Sequence, residues 1–177
     1  PIHSIKSWMK RTFPEEFGEA ERTKMTNTRY ETDIVAWSQQ QAQLLRDEAF
    51  ELVDWNNIIE EIESLGISQQ HELDSRLTVL LMHLLKWQFQ ASHRSRSWEV
   101  TIGYQRVDID GVLERNPSLR ASFSDFVRKA YPRAVKKAVI ETRLPVSTFP
   151  TECSYTLGQI MDEAYFPEEF GEQERAT

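Results

Sequence analysis

Between Leu73 and Phe89 the chain reads LDSRLTVLLMHLLKWQF, and this stretch limits the fold more than any other. Wound at about 100° per residue, Leu73, Leu77, Leu80, Leu81 and Leu84 share one face, while Val79, Met82, Leu85 and Phe89 lie elsewhere on the circumference. A helix that is apolar nearly all round needs other helices on several sides. Its most continuous part, Leu77 to Phe89, is 13 residues long and contains His83 and Lys86, whereas a bilayer span takes roughly 20 mostly apolar residues. The expected fold is therefore all-α: a single-domain bundle of five or six helices around a central apolar helix at about 68–91.

The flanking sequence supplies the other helices. One is expected from about Thr32 to Glu48, with Asp33 at its positive end. Asp54 can cap a second, with Ile58, Ile59, Ile62 and Leu65 as its buried stripe and Gly66 as its left-handed stop. Ser95 or Ser97 can cap the helix after the central one, whose inner stripe is Trp98, Ile102, Ile109, Val112 and Leu113 and whose end is Asn116 and Pro117. Another carries Leu119, Phe123, Val127 and Ala130 inward, with Pro132 kinking or dividing it before Val135, Ala138 and Val139. Pro145 closes it, and Thr156 with Gln159 has capping-box spacing for a short last helix ending near Asp162.

One internal repeat stands out. Phe13 to Arg22 reads FPEEFGEAER and Phe166 to Arg175 reads FPEEFGEQER, so the two differ only at Ala20 and Gln173. The parse that follows is a tail-like segment at 1–24, resembling the end of a preceding copy, then one helical domain at 25–177 with an acidic C-terminal tail at about 166–177. Both tails are expected to be exposed ends. If both have affinity for one surface, the leading copy can dock on a neighbouring chain, which makes a homo-oligomer one expected state.

With 21 Lys and Arg against 28 Asp and Glu, the net charge of −7 argues against a general binder of nucleic acid or anionic membranes. Any basic site must be local. Cys153 is the only cysteine, so no internal disulfide can form, and no secretory signal pattern opens the sequence. The expectation is a cytoplasmic protein.

Three polar groups, Arg76, His83 and Lys86, interrupt the apolar stretch. Arg76 and His83 lie about 20° apart on the helical wheel, and Glu72 precedes Arg76 by one turn in the favourable orientation for an ion pair. Their spacing looks like that of helical ribonucleases working without metal, with His as acid or base and Arg stabilising charge on phosphate. With 14 arginines and 4 histidines in the chain, however, an Arg that close ahead of some His is common by chance. The favoured expectation is a structural polar network of Glu60, Glu61, Glu63, Glu72, Arg76 and His83, because buried charge needs pairing.

The basic turn, SHRSRS at 92–97, leads into a helix N-terminus, where free N–H groups and the helix dipole attract anions. Arg94, Arg96 and Ser97 are the anion-binding candidates, with Trp87 and Trp98 placed to stack on a planar ligand. Glu60, Glu61, Glu63, His71, Glu72 and His83 are of metal-ligand type, yet no Glu-x-x-His pair organises them, so no metal and no cofactor is expected. Cys153 reads as a small hydrophobe.

The strings EEIESLG at 60–66, ELDSRLTVLLMHLLKWQFQ at 72–90, RSRSW at 94–98, NPSLR at 116–120 and LPVSTFPTECSYTLGQIMD at 144–162 together resemble the bacterial family called domain of unknown function 29. The similarity covers Tyr30 to about Glu169. It implies a helical fold and carries over no catalytic residues. The function expected from the residues is a non-catalytic interaction or regulatory module with a local anion-binding turn, its partner a protein or an anionic ligand and not a membrane. Nucleic acid is a less favoured partner, and a metal-independent ribonuclease built on Arg76 and His83 is the alternative.

Overall fold

A computed structural model describes residues 30–170, so the leading segment at 1–24 and the tail beyond Phe170 lie outside the described residues. Within them the fold is all-α, a helical bundle without strands. The helices are α1 (Ile34–Arg46), α2 (Trp55–Phe89), α3 (Arg96–Arg115), α4 (Pro117–Ala121), α5 (Phe123–Thr142) and α6 (Leu157–Met161). The chain divides into two compact units at Gly66 and Ile67, a point inside α2.

In the unit that ends at Gly66, Asp33 caps α1 by accepting from the Ala36 N–H at 2.9 Å. Asp54 caps α2, its carboxylate accepting from the Asn57 N–H at 3.4 Å and from the Asn57 side-chain amide at 2.7 Å. The Asp54 N–H donates to the Gln41 side chain, and the Trp37 indole donates to Asp54 at 3.3 Å. A small core of Leu44, Ala49 and Val53 gathers Leu52 and Ile58.

Two expectations for this region are corrected. Gly66 does not stop a helix: α2 runs unbroken for 35 residues, and no described glycine has a positive φ. A mid-helix glycine costs about 1 kcal/mol relative to alanine, and good helix formers on both sides, Leu65 and Gln69 among them, carry the helix through. Of the expected stripe only Ile58 packs. Ile59, Ile62 and Leu65 are each more than half exposed.

The unit from Ile67 onward holds the main core. Leu73, Leu77, Leu80, Leu81, Leu84 and Leu85 of α2 are fully buried, with Met82 and Phe89 nearly so, and Ile102, Ile109 and Val112 of α3 close against them. Phe123, Val127, Ala130 and Ala138 of α5 are buried as its spacing predicts; Tyr131 and Ala134, which the expected stripe omits, are buried with them, while the expected Val135 and Val139 are only partly buried. Pro132 does not divide α5, which is continuous from Phe123 to Thr142 and ends with Arg143 in the left-handed conformation at φ 60°. The Thr156–Gln159 capping box forms as expected, and α6 buries Ile160.

The beginning of the acidic tail is not a free end. Phe166 packs on Trp87 with ring centroids 4.7 Å apart, Phe170 packs on Phe89 at 5.0 Å, and Pro167 between them is buried. The Phe170 N–H donates to the Gln88 carbonyl at 3.3 Å. The two phenylalanines supply the apolar area that an acidic composition conceals, while Glu168 and Glu169 stay in solvent.

Candidate functional site

The sequence-singled residues fall into three environments. The first is the α2–α3 seam at Arg76. Its Nε and Nη2 donate to Glu72 Oε1 at 3.0 and 2.9 Å, and its Nη1 donates to Asp108 of α3. Two carboxylates thus neutralise one half-buried guanidinium. Glu60, Glu61 and Glu63 are not its partners. They ride on the first turns of the same helix rather than on a facing one, and Glu61 accepts instead from the Tyr30 hydroxyl at 2.7 Å, which pushes that phenol up to about 12.

His83 lies further along α2, and no hydrogen bond joins it to Arg76. Its Nδ1 is 2.9 Å from the Val79 carbonyl, so the ring donates from Nδ1. Partial burial holds the imidazole below its ordinary value of 6.5; the Val79 carbonyl works against that, neighbouring Lys86 adds to it, and Glu141 opposes. The spacing that suggests a catalytic pair therefore yields two groups with separate partners: a paired arginine and a neutral histidine held by its own helix.

The second environment surrounds Lys86 and Arg106, which the sequence reading did not select as site residues. Lys86 is 5% exposed, makes an ion pair with Glu141 of α5, and places its ammonium 4.3 Å from the centre of the Trp98 ring. Arg106 is only 2% exposed and sits between Ile102 and Ile109 on the buried stripe of α3. Its Nε donates to the Ile160 carbonyl at 2.9 Å, and its Nη2 donates to Tyr165 at 2.8 Å and Gln159 at 3.4 Å. Its Nη1 donates to Glu163 at 3.4 Å. A single guanidinium thereby satisfies carbonyls that the end of α6 leaves without intrahelical partners, and it lies 5.6 Å from the Phe166 ring. Burial lowers its pKa, against which Asp162 and Glu163 act. The signal for Arg106 was legible: a charged residue at the i+4 position from one core isoleucine and i−3 from the next must be buried and paired.

The third environment is the basic turn. Arg94 follows a short 3-10 turn at Ala91–His93; its Nε donates to the Trp87 carbonyl at 2.9 Å and its guanidinium lies 5.3 Å from the Trp87 ring. The Arg96 side chain is 85% exposed and touches only Glu99, at 3.4 Å. Ser95 begins α3 without a side-chain cap, and the Arg96 and Ser97 N–H groups have no acceptor among the described residues. This end of α3 therefore presents two backbone donors, the Ser97 hydroxyl, both outer nitrogens of Arg94 and the Nη2 of Arg96 to solvent, a set that suits phosphate or carboxylate.

No group of three His, Cys, Asp or Glu side chains placed to hold a metal ion occurs among the described residues. Cys153 is half-buried, and burial pushes its thiol up, away from the thiolate that a nucleophile needs. No described helix is long and apolar enough to cross a membrane. No curated protein and no solved structure matches the chain. A family model described as Domain of unknown function DUF29 matches residues 29–166, most of the helical region just described, and the chain belongs to that family.

Proposed function

We propose that the chain is a non-catalytic interaction or regulatory module whose recognition element is the basic turn of Arg94, Arg96 and Ser97. The observation that carries this reading is the contrast in engagement: Arg76, Lys86 and Arg106 are occupied by intramolecular partners, whereas both outer nitrogens of Arg94 and the Nη2 of Arg96 stay in solvent at an uncapped helix start, the Arg96 Nη1 making one long contact with Glu99. The ligand class is an anionic group, phosphate or carboxylate, carried by a partner protein or a small molecule. Nucleic acid is less favoured, because a net charge of −7 opposes a polyanion beyond the immediate contact. The reading includes a cytoplasmic, bacterial setting, with which an unpaired Cys153 accords. The ribonuclease alternative gains no support, since its arginine is neutralised by Glu72 and Asp108 and shares no partner with His83.

Calorimetric titration of inorganic phosphate, nucleotides and short RNA into wild type and Arg94→Ala/Arg96→Ala tests the proposal. Binding by wild type that the double variant loses is expected. Equal binding by both proteins, or binding by neither, rejects the basic turn as the recognition element.

A further inference from the structure

The sequence repeat and the seated tail meet in one place. The stretch from Phe166 to Phe170 lies in a groove formed by Trp87, Gln88, Phe89 and Arg106, and every residue of it recurs at Phe13 to Phe17. The one difference between the copies, Ala20 against Gln173, falls beyond Phe170, outside the seated stretch. The contact just upstream, from Arg106 to the Tyr165 carbonyl at 2.8 Å, uses backbone that Thr12 supplies equally well. We propose that the groove on α2 and α3 is a docking site for Phe13–Phe17 of a second copy of this chain, which enters when the resident Phe166–Phe170 leaves.

The chemistry of recognition is the same for both occupants. Two phenylalanines spaced four apart reach Trp87 and Phe89, the proline between them is buried, and the two glutamates remain in water. The resident copy is tethered a few residues beyond α6 and therefore competes at an effective concentration of about millimolar, so the untethered copy is excluded in dilute solution. Exchange between two chains replaces one set of contacts with an identical set, which is the condition under which swapped assemblies form at little cost. This surface is separate from the anion site of the basic turn, and its test does not depend on that site.

The test uses the full chain. Phe166→Ala/Phe170→Ala empties the groove while keeping Phe13 and Phe17, and the quadruple variant that adds Phe13→Ala/Phe17→Ala removes both occupants. Sedimentation velocity over a hundredfold range of concentration is expected to show association of the double variant and none of the quadruple variant. A labelled peptide of residues 12–22 is expected to bind the quadruple variant and to lose binding when both its phenylalanines are alanine. If the double variant stays monomeric while the quadruple variant binds the peptide, the groove is filled from within the same chain and the second-copy proposal fails. If neither association nor peptide binding occurs, the groove does not recognise the segment at all. Circular dichroism checks that the variants keep their helices; should alanine at both positions unfold the chain, Phe170→Ala alone replaces it, with association again expected and its absence overturning the proposal.

Discussion

Arg106 and the pair Arg94 and Arg96 are the same kind of side chain on neighbouring parts of the fold, and they have opposite fates. Arg106 lies on the buried stripe of α3, and because a buried guanidinium needs acceptors, the chain around it supplies four carbonyls between Gln159 and Tyr165, which engage four of its five N–H groups. Arg94 and Arg96 lie where α3 has not yet entered the core, and each makes one polar contact. Lys86 and His83 stand between these extremes, the first buried with one partly exposed carboxylate, the second half-buried with a backbone carbonyl. Burial thus decides whether a cation holds the fold together or stays available to a ligand.

The strongest way to break that comparison is Arg106→Met. The volume is roughly kept and the carbonyls are left without a donor, so a loss of about 2–4 kcal/mol is expected, equivalent to a fall in Tm of about 4–15 °C. Urea denaturation measures it, and a loss under 0.5 kcal/mol would show that the carbonyls find other donors. Next in size is the pair Lys86→Met and Glu141→Ala. Removing the carboxylate strands an ammonium that is 5% exposed, whereas methionine is accepted by the apolar surroundings. Glu141→Ala is therefore expected to cost more, by about 1–2 kcal/mol, than Lys86→Met. The reverse order would mean that the contact with Trp98 matters more than the ion pair.

His83 gives a smaller, pH-dependent effect. Its folded pKa lies below 6.5, so the unfolded chain binds more protons in the window just under that value, and stability rises with pH there. The contribution is fully present above about pH 6.5 and declines as pH falls toward the folded value. Urea midpoints compared between pH 7.5 and 5.5 should fall more for wild type than for His83→Gln, and parallel falls would refute the assignment. The smallest effect belongs to the outer turn. Arg94→Ala/Arg96→Ala should change stability by about 0.5 kcal/mol or less even if it abolishes anion binding, since exposed cations contribute little to the fold.

The caps at Asp33 and Asp54, the Thr156–Gln159 box and the leucines from Leu73 to Leu85 are legible in the sequence because they depend on neighbours a few residues away, whereas Ile59, Ile62 and Leu65 share the same kind of spacing and stay exposed. Gly66 does not end α2 and Pro132 does not divide α5, because a local penalty of about 1–3 kcal/mol is offset by the helix around it. The pairing of Arg76 with Asp108, and of Arg106 with the end of α6, joins residues 32 to 59 positions apart, which no local pattern records. The tail was hardest to read. Four glutamates between Phe166 and Arg175 suggest solvent, and only the folded groove shows what Phe166 and Phe170 are for.

The order in which the groove and its resident appear during synthesis has a consequence. Phe89 leaves the ribosome 77 residues ahead of Phe166, an interval of about 4–15 s at typical elongation rates, while the N-terminal FPEEF has already emerged. For those seconds the apolar wall of Trp87 and Phe89 has no C-terminal segment to cover it. Nascent chains stalled short of Phe166 should bind a hydrophobic dye that the finished protein does not.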